Sequence, residues 1–187
     1  MGVPPVIPVA RLRTEWASRP SFTNHRADRN NMEFNTLPEI DGIRKYRRHL
    51  PHCRADGVTY FVTWRLEKSV VILEPDEHTV VAKAVEHFNG QRYELIAYTI
   101  MDDHVHLLMT TVNEQPLEKT VHSWKSYTGH VLQRLRHSTG NIWQQEYYDR
   151  IIRDSDELTR QLQYITTNPA KRWPEISEYS WCRIFET

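Results

Sequence analysis

Cysteine is nearly missing from this chain: two residues in 187, Cys53 and Cys182. Neither has a partner at metal or redox spacing, so a disulfide framework and a thiolate cluster are excluded, and the pair reads as reduced thiols of a cytoplasmic protein. Long apolar runs are missing too. No stretch of eighteen apolar residues occurs, so no membrane span or membrane partner is expected. The opening Met1 to Ala10 is apolar, but it is too rich in proline for a signal helix and has no basic leader. Net charge is the third thing lacking. It is zero overall, which taken alone argues against a nucleic-acid partner.

The distribution of charge says otherwise. Residues 1–56 carry ten Lys/Arg against six Asp/Glu, and residues 57–187 carry fourteen against eighteen. The positive balance therefore sits in the N-terminal third, with a cluster at Arg44, Lys45, Arg47 and Arg48. Such a cluster is either a solvated tail or an arm that follows phosphates. Residues 1–42 hold half of the prolines and few periodic apolar positions, and they read as a flexible, mildly basic extension. The length suits one domain, which is placed at 43–187.

Within that domain, Pro51 and Gly57 punctuate a loop, and Val58 to Leu66 is β-branched and aromatic, the composition of a strand. Pro75 suits the first turn of a helix whose apolar stripe is Val80, Val81, Ala84, Val85 and Phe88, with Gly90 as its C-cap. Tyr93 to Ile100 and His104 to Thr111 read as strands of one tight antiparallel hairpin. A long helix follows Pro116. It buries Leu117, Val121, Trp124, Thr128, Val131, Leu132 and Leu135, turns Lys119, Lys125, Arg134 and Arg136 outward, and ends at Gly140. Ile142 to Ile152 reads as a fourth strand. Asp154 caps a last helix with Glu157 as its capping-box partner, and that helix stops near Asn168 because Pro169 follows. Its inward residues are Leu158, Leu162 and Ile165, and the aromatic tail adds a short strand. The predicted class is α+β: a ferredoxin-like βαββαβ antiparallel sheet with helices on one face, followed by a C-terminal helix. That plan hosts many functions and names none.

The chemistry gathers on His104 and His106. Two positions apart on a strand, they share a face and stand roughly 6.6 Å apart along the chain, close enough to lean onto one cation. A histidine pair is as compatible with a solvated face as with half of a metal site. The last helix supplies further candidates. Tyr164 and Asn168 are four apart on one helical face, with Arg160 and Gln161 a turn earlier. Asn168 could add an amide oxygen to a metal held by two imidazoles, with the Tyr164 phenol beside it. A tyrosine near pKa 10 needs help from a cation or a base to act as a nucleophile, and an amphipathic tyrosine at the edge of a core is the plainer alternative.

Three segments then carry a family resemblance: Met101 to Leu108, Trp143 to Arg153, and Tyr164-Ile165-Thr166-Thr167-Asn168-Pro169-Ala170-Lys171. In this order and spacing, and with Tyr46 to His52 before them, the chain resembles the HUH single-tyrosine transposases, in their REP-associated branch, from about Tyr46 to Trp173. The resemblance implies nicking and rejoining of single-stranded DNA, usually beside a hairpin, through a 5′-phosphotyrosine. It implies Mg²⁺ or Mn²⁺ on His104, His106 and Asn168, with Tyr164 as nucleophile and Tyr148 as second candidate. It also implies basic contacts with the strand, for which Arg44, Arg47, Arg48, Lys125, Arg150 and Arg153 are the candidates, and a monomer or homodimer. Asp102-Asp103 replaces the family's usual Pro-Asn before the first histidine, which changes the local turn. Two alternatives are a metal phosphoesterase that uses water and a catalytically silent nucleic-acid-binding protein.

Overall fold

The computed structural model describes residues 44–47, 51–54, 57–113 and 115–185, the first two stretches as backbone alone. Ten elements follow in order: β1 (Arg44–Arg47), β2 (Pro51–Arg54), β3 (Thr59–Arg65), α1 (Pro75–Glu86), β4 (Tyr93–Ile100), β5 (His104–Thr111), α2 (Leu117–Leu135), β6 (Tyr148–Ile151), α3 (Ser155–Arg172) and β7 (Cys182–Ile184). Strands β1 and β2 pair as a separate hairpin, and the main sheet runs β6-β3-β5-β4-β7, with every neighbour antiparallel. Its first four strands have the ferredoxin-like order expected from the sequence. The proposed extension, residues 1–42, lies outside the described residues.

Alternation on the central strands sorts side chains to two faces. Tyr60, Val62, Trp64, Val105, Leu107 and Met109 pack with Val81 and Val85 of α1 and with Leu117, Val121, Trp124 and Leu132 of α2. Phe61, Ala97 and Leu108 face the other way, against Leu162 and Ile165 of α3, with Tyr179 and Cys182. The sheet is therefore covered on both sides, and α3 has a face to itself. A bulge between Leu95 and Ala97 shifts the register of β4. It places Leu95 and Tyr98, three apart, in the same cluster.

Several boundaries differ from the sequence expectation. Pro51 opens β2 instead of lying in a loop. Helix α1 ends at Glu86 with His87 as C-cap, and Gly90 serves the turn into β4, at φ +78° with its N–H on the Tyr93 carbonyl at 2.8 Å. Helix α2 ends well before Gly140. His137 takes the left-handed position (φ 49°), and the Ser138 N–H closes onto the Gln133 carbonyl at 3.0 Å. Leu135, expected in the buried stripe, is 54% exposed because the last turn of α2 runs beyond the core. Between Ile142 and Ile152 only Tyr148–Ile151 joins the sheet, while Trp143 makes an isolated bridge to Leu66. Asp154 caps α3 by accepting the Glu157 N–H at 2.7 Å, but the Glu157 carboxylate accepts the Arg153 N–H rather than that of Asp154.

The largest departure is at the end of α3, which continues through Pro169 to Arg172. A proline inside a helix removes one N–H and frees the carbonyl four residues earlier. Here that carbonyl belongs to Ile165, and the buried Cys182 thiol points at it from 3.9 Å. The added turn is also tied down by an ion pair from Arg172 to Asp102 at 2.9 Å.

Candidate active site

The site lies where α3 crosses the centre of the sheet. Register places His106 between Thr63 of β3 and Thr99 of β4, and His104 opposite Arg65. Both histidines belong to the face that α3 covers. Their rings meet edge to face, with centroids 4.5 Å apart, so the two imidazoles expected to share a face do so.

Each imidazole has one nitrogen committed. His106 Nδ1 lies 2.6 Å from Thr63 Oγ1, and His104 Nδ1 bonds the Asp103 carboxylate. An outer partner on one ring nitrogen fixes the ring and leaves the other nitrogen, Nε2 here, as the inward donor. Burial, and after it the charge of His104, depress the His106 pKa to about 3, so the ring is the neutral, ligating form at neutral pH. Burial alone would raise the Asp103 carboxyl, but the hydrogen bond and charge of His104, then Arg65 and Arg172, bring it below the ordinary carboxylate value.

Tyr164 arrives from α3. Its hydroxyl is 3.4 Å from His106 Nε2, and the two rings meet edge to face at 5.1 Å. Phe61 supports this arrangement from the sheet, stacked on His106 at 5.5 Å and edge-on to Tyr164 at 6.1 Å. Tyr164 is 40% exposed, whereas His106 is 4% exposed. The phenol therefore sits between a closed imidazole floor and solvent. Lys171, on the turn that α3 gains beyond Pro169, lies 5.1 Å from the Tyr164 ring centroid. Arg160, Gln163, Tyr164, Thr167, Ala170 and Lys171 line an open groove of about 470 Å³.

Among the described residues, no three His, Cys, Asp or Glu side chains are grouped to hold a metal. The third donor expected from the sequence is the amide of Asn168. That residue lies one turn beyond Tyr164, and its Nδ2 is buried without a hydrogen-bond partner. A half-turn of the amide brings its oxygen to the same spot. The outward-committed imidazoles, with His106 Nε2 meeting only the Tyr164 hydroxyl at 3.4 Å, and an unpartnered amide are donor types that fit a divalent ion.

The other candidates are dispersed. Tyr148, the second tyrosine, is 44% exposed and touches Phe61 edge-on at 6.4 Å. Arg150 and Arg153 are held by the buried carboxylate of Glu157 at 2.6 and 3.1 Å. Lys125 belongs to α2, behind the sheet. Its ammonium donates to the Gln145 carbonyl at 2.7 Å, and burial pulls its pKa down to about 8. Arg44 and Arg47 lie on β1, and Arg48 lies outside the described residues. Arg160 lines the groove, while Gln161 beside it does not.

Thr63, Asp102, Asp103, Arg172 and Lys171 were not read as functional side chains from sequence. Asp102 and Asp103 carried a local signal as the acidic pair before His104, and Lys171 as a cation two turns beyond Tyr164. Thr63 became visible only through the register of β3 on β5.

Comparisons with known proteins converge on one family. The sequence model of the family described as "Transposase IS200 like" matches residues 55–168, more than half of the chain, and the chain belongs to that family of transposases. A REP-associated tyrosine transposase of Escherichia coli (strain K12) is 24% identical over 132 residues, covering 69% of this chain and 74% of the relative. The solved structure of a REP-associated tyrosine transposase bound to a REP hairpin shares the fold, with TM-score 0.57 and 22% identity over 70% of this chain and 74% of that one. The REP-associated branch is thus where the similarity falls. Among the described residues no helix is long and apolar enough to cross a membrane.

Proposed function

We propose that this transposase nicks and rejoins single-stranded DNA, beside a small hairpin such as a REP element, through a 5′-phosphotyrosine on Tyr164. The observation that carries the reading is the meeting of the Tyr164 hydroxyl with His106 Nε2 at 3.4 Å, while the opposite nitrogens of both histidines are already engaged. His104, His106 and Asn168 would hold Mg²⁺ or Mn²⁺. Bound there, such an ion polarises a non-bridging oxygen of the scissile phosphate.

The side chains of the chain do the rest. Thr63 and Asp103 orient the two imidazoles, and Phe61 fixes the angle at which Tyr164 approaches. In the nicking step the phenolic oxygen bonds to phosphorus and the bond from phosphorus to the 3′ oxygen breaks. The proton lost by the phenol is balanced by one gained on the leaving oxygen, which becomes a free 3′-hydroxyl. The phosphotyrosine conserves the ester, so attack by a second 3′-hydroxyl joins strands and restores the phenol. Tyr164 and the histidines come from one chain, which supports a site complete within a monomer. Residues 1–42, with five Lys/Arg against five Asp/Glu, would be an extension outside the catalytic unit, and the reaction would take place in the cytoplasm.

The test is a covalent-label assay. A single-stranded oligonucleotide with a hairpin, labelled on its 5′-phosphoryl fragment, is incubated with the protein and Mn²⁺, then denatured. Label should remain on the protein band, disappear in Tyr164→Phe and persist in Tyr148→Phe. Cleavage that survives Tyr164→Phe would transfer the role of nucleophile to water, and binding without cleavage under any metal would make the chain a binding protein.

A further inference from the structure

The cations of the described residues fall into two groups. Half of those on residues 57–185 are committed. Arg65 is paired to Asp103, Arg136 to Glu77, Arg150 and Arg153 to Glu157, Arg172 to Asp102, and Arg183 to Glu86. Lys125 is spent on a backbone carbonyl. Of the other seven, two lie on the exposed face of α3 beside Tyr164. Among the described residues neither Arg160 nor Lys171 has a carboxylate within ion-pair distance, and both line the groove that contains Tyr164. No acidic side chain lines that groove. Its remaining polar members, Gln163 and Thr167, are neutral.

The spacing along the helix is informative. Arg160 precedes Tyr164 by four residues and Lys171 follows it by seven, so the two cations bracket the phenol at about 6 Å and about 10 Å along the axis. Together they span about 16 Å. One strand of a duplex carries a phosphate about every 3.4 Å of axis, so this length accommodates at most about five nucleotides. Lys171 also sits against the nucleophile itself, 5.1 Å from its ring centroid. Unpaired cations in an acid-free groove are what a phosphodiester backbone requires, since no internal ion pair has to be broken to bind it.

We propose that the α3 groove is the bed of the DNA single strand, with Arg160 and Lys171 gripping the phosphates on either side of the one that Tyr164 attacks. This rests on Tyr164 being the nucleophile, and it replaces Arg150, Arg153 and Lys125 as the main strand contacts. Those three are held by the fold, whereas among the described residues Arg160 and Lys171 have no carboxylate partner.

The experiment measures binding without chemistry. The full chain is titrated in EDTA with a fluorescein-labelled oligonucleotide that has a hairpin and a single-stranded flank, across a salt series. Arg160→Gln and Lys171→Gln should each weaken binding and flatten the plot of log affinity against log salt by about 0.7, the value for one phosphate contact on a single strand. The double variant should lose about twice that, and Lys83→Gln on the exposed face of α1 should change nothing. Unchanged slopes in both variants, with the parent binding normally, overturn the groove as the strand's bed and leave the covalent-label result for Tyr164 standing. A parent that binds no single strand at all overturns this proposal and the transposase mechanism together.

Discussion

His106 shows how one residue can be both a burden on the fold and the centre of its chemistry. Its imidazole is buried, and its folded pKa of about 3 lies below the ordinary value of 6.5. Between those values the unfolded chain binds a proton that the folded chain refuses. Stability from this source is complete above about pH 6.5 and is lost as the pH falls toward 3, with a slope of at most about 1.4 kcal/mol per unit. His78 is buried with its pKa lowered in the same direction, so it adds to the trend. Urea unfolding from pH 7 to pH 4 should therefore show falling stability, and His106→Asn should flatten that dependence without removing it. An equal slope in the variant would contradict the assignment. The ring's outer partner makes a second expectation. Thr63→Val leaves His106 Nδ1 without its partner, and Mn²⁺ affinity should drop about 10–100-fold, as for other second-layer ligand supports. Calorimetric titration would measure it. The histidine pair itself was legible in sequence, because two-residue alternation on an apolar strand is a local property. Thr63 was not, because its part depends on which strand pairs with β5 and in what register.

At the scale of elements, α3 decides how the site is assembled. The rule that a residue before proline leaves the helix predicts an end at Asn168, which would remove Lys171 and Arg172 from the helical face. The helix continues because distant residues supply what Pro169 takes away. Cys182 of β7 answers the freed Ile165 carbonyl, and Asp102 of the β4–β5 turn anchors Arg172. Neither partner is local, so the sequence rule had no access to them. Two local choices also differ from the expectation: His137 takes the left-handed position where a glycine was expected, and Glu157 serves three groups of Arg150 and Arg153 rather than closing a capping box. Two measurements follow. Cys182→Ala should cost about 1–3 kcal/mol in urea unfolding, the range for leaving a buried carbonyl unanswered. Arg172→Gln should loosen α3 over the histidine hairpin and slow phosphotyrosine formation about 10–100-fold, the scale of an ångström of misplacement. Mn²⁺ affinity should fall less than the rate does, since two of the three proposed ligands, His104 and His106, remain on the sheet. Loss of Mn²⁺ binding in Arg172→Gln would show that the ion pair builds the metal site rather than the approach of the phenol.

The molecule as a whole places a sheet between two unlike layers. Helices α1 and α2 bury one face in an aromatic core, where Trp64 stacks on Trp124 at 5.8 Å and the Tyr93 hydroxyl links the Val85 carbonyl to Trp124 Nε1. The other face carries α3 alone, and the chemistry with it. That division follows from the ferredoxin-like strand order, which puts β5 in the middle between the long strands β3 and β4, and His106 near the centre of the sheet. Order and layering were readable from the succession of strand and helix patterns, but the face taken by the last helix was not, since either side offers apolar residues. Its position has a consequence for the assembly. Asp102 and Arg172 join the histidine hairpin to the tyrosine helix within one chain, and Tyr179 adds a hydrogen bond to the Ile100 carbonyl at 2.6 Å. Exchange of α3 between two copies would have to break both links and expose the Phe61, Leu108, Leu162 and Ile165 cluster while the helix was in transit. A site closed within each chain should therefore refuse complementation. When His106→Ala and Tyr164→Phe proteins are mixed in equal amounts with labelled hairpin DNA and Mn²⁺, no covalent band should form. A band approaching a quarter or more of the parent's would mean that one chain's tyrosine reaches another's histidines, and that the links seen here open when copies meet.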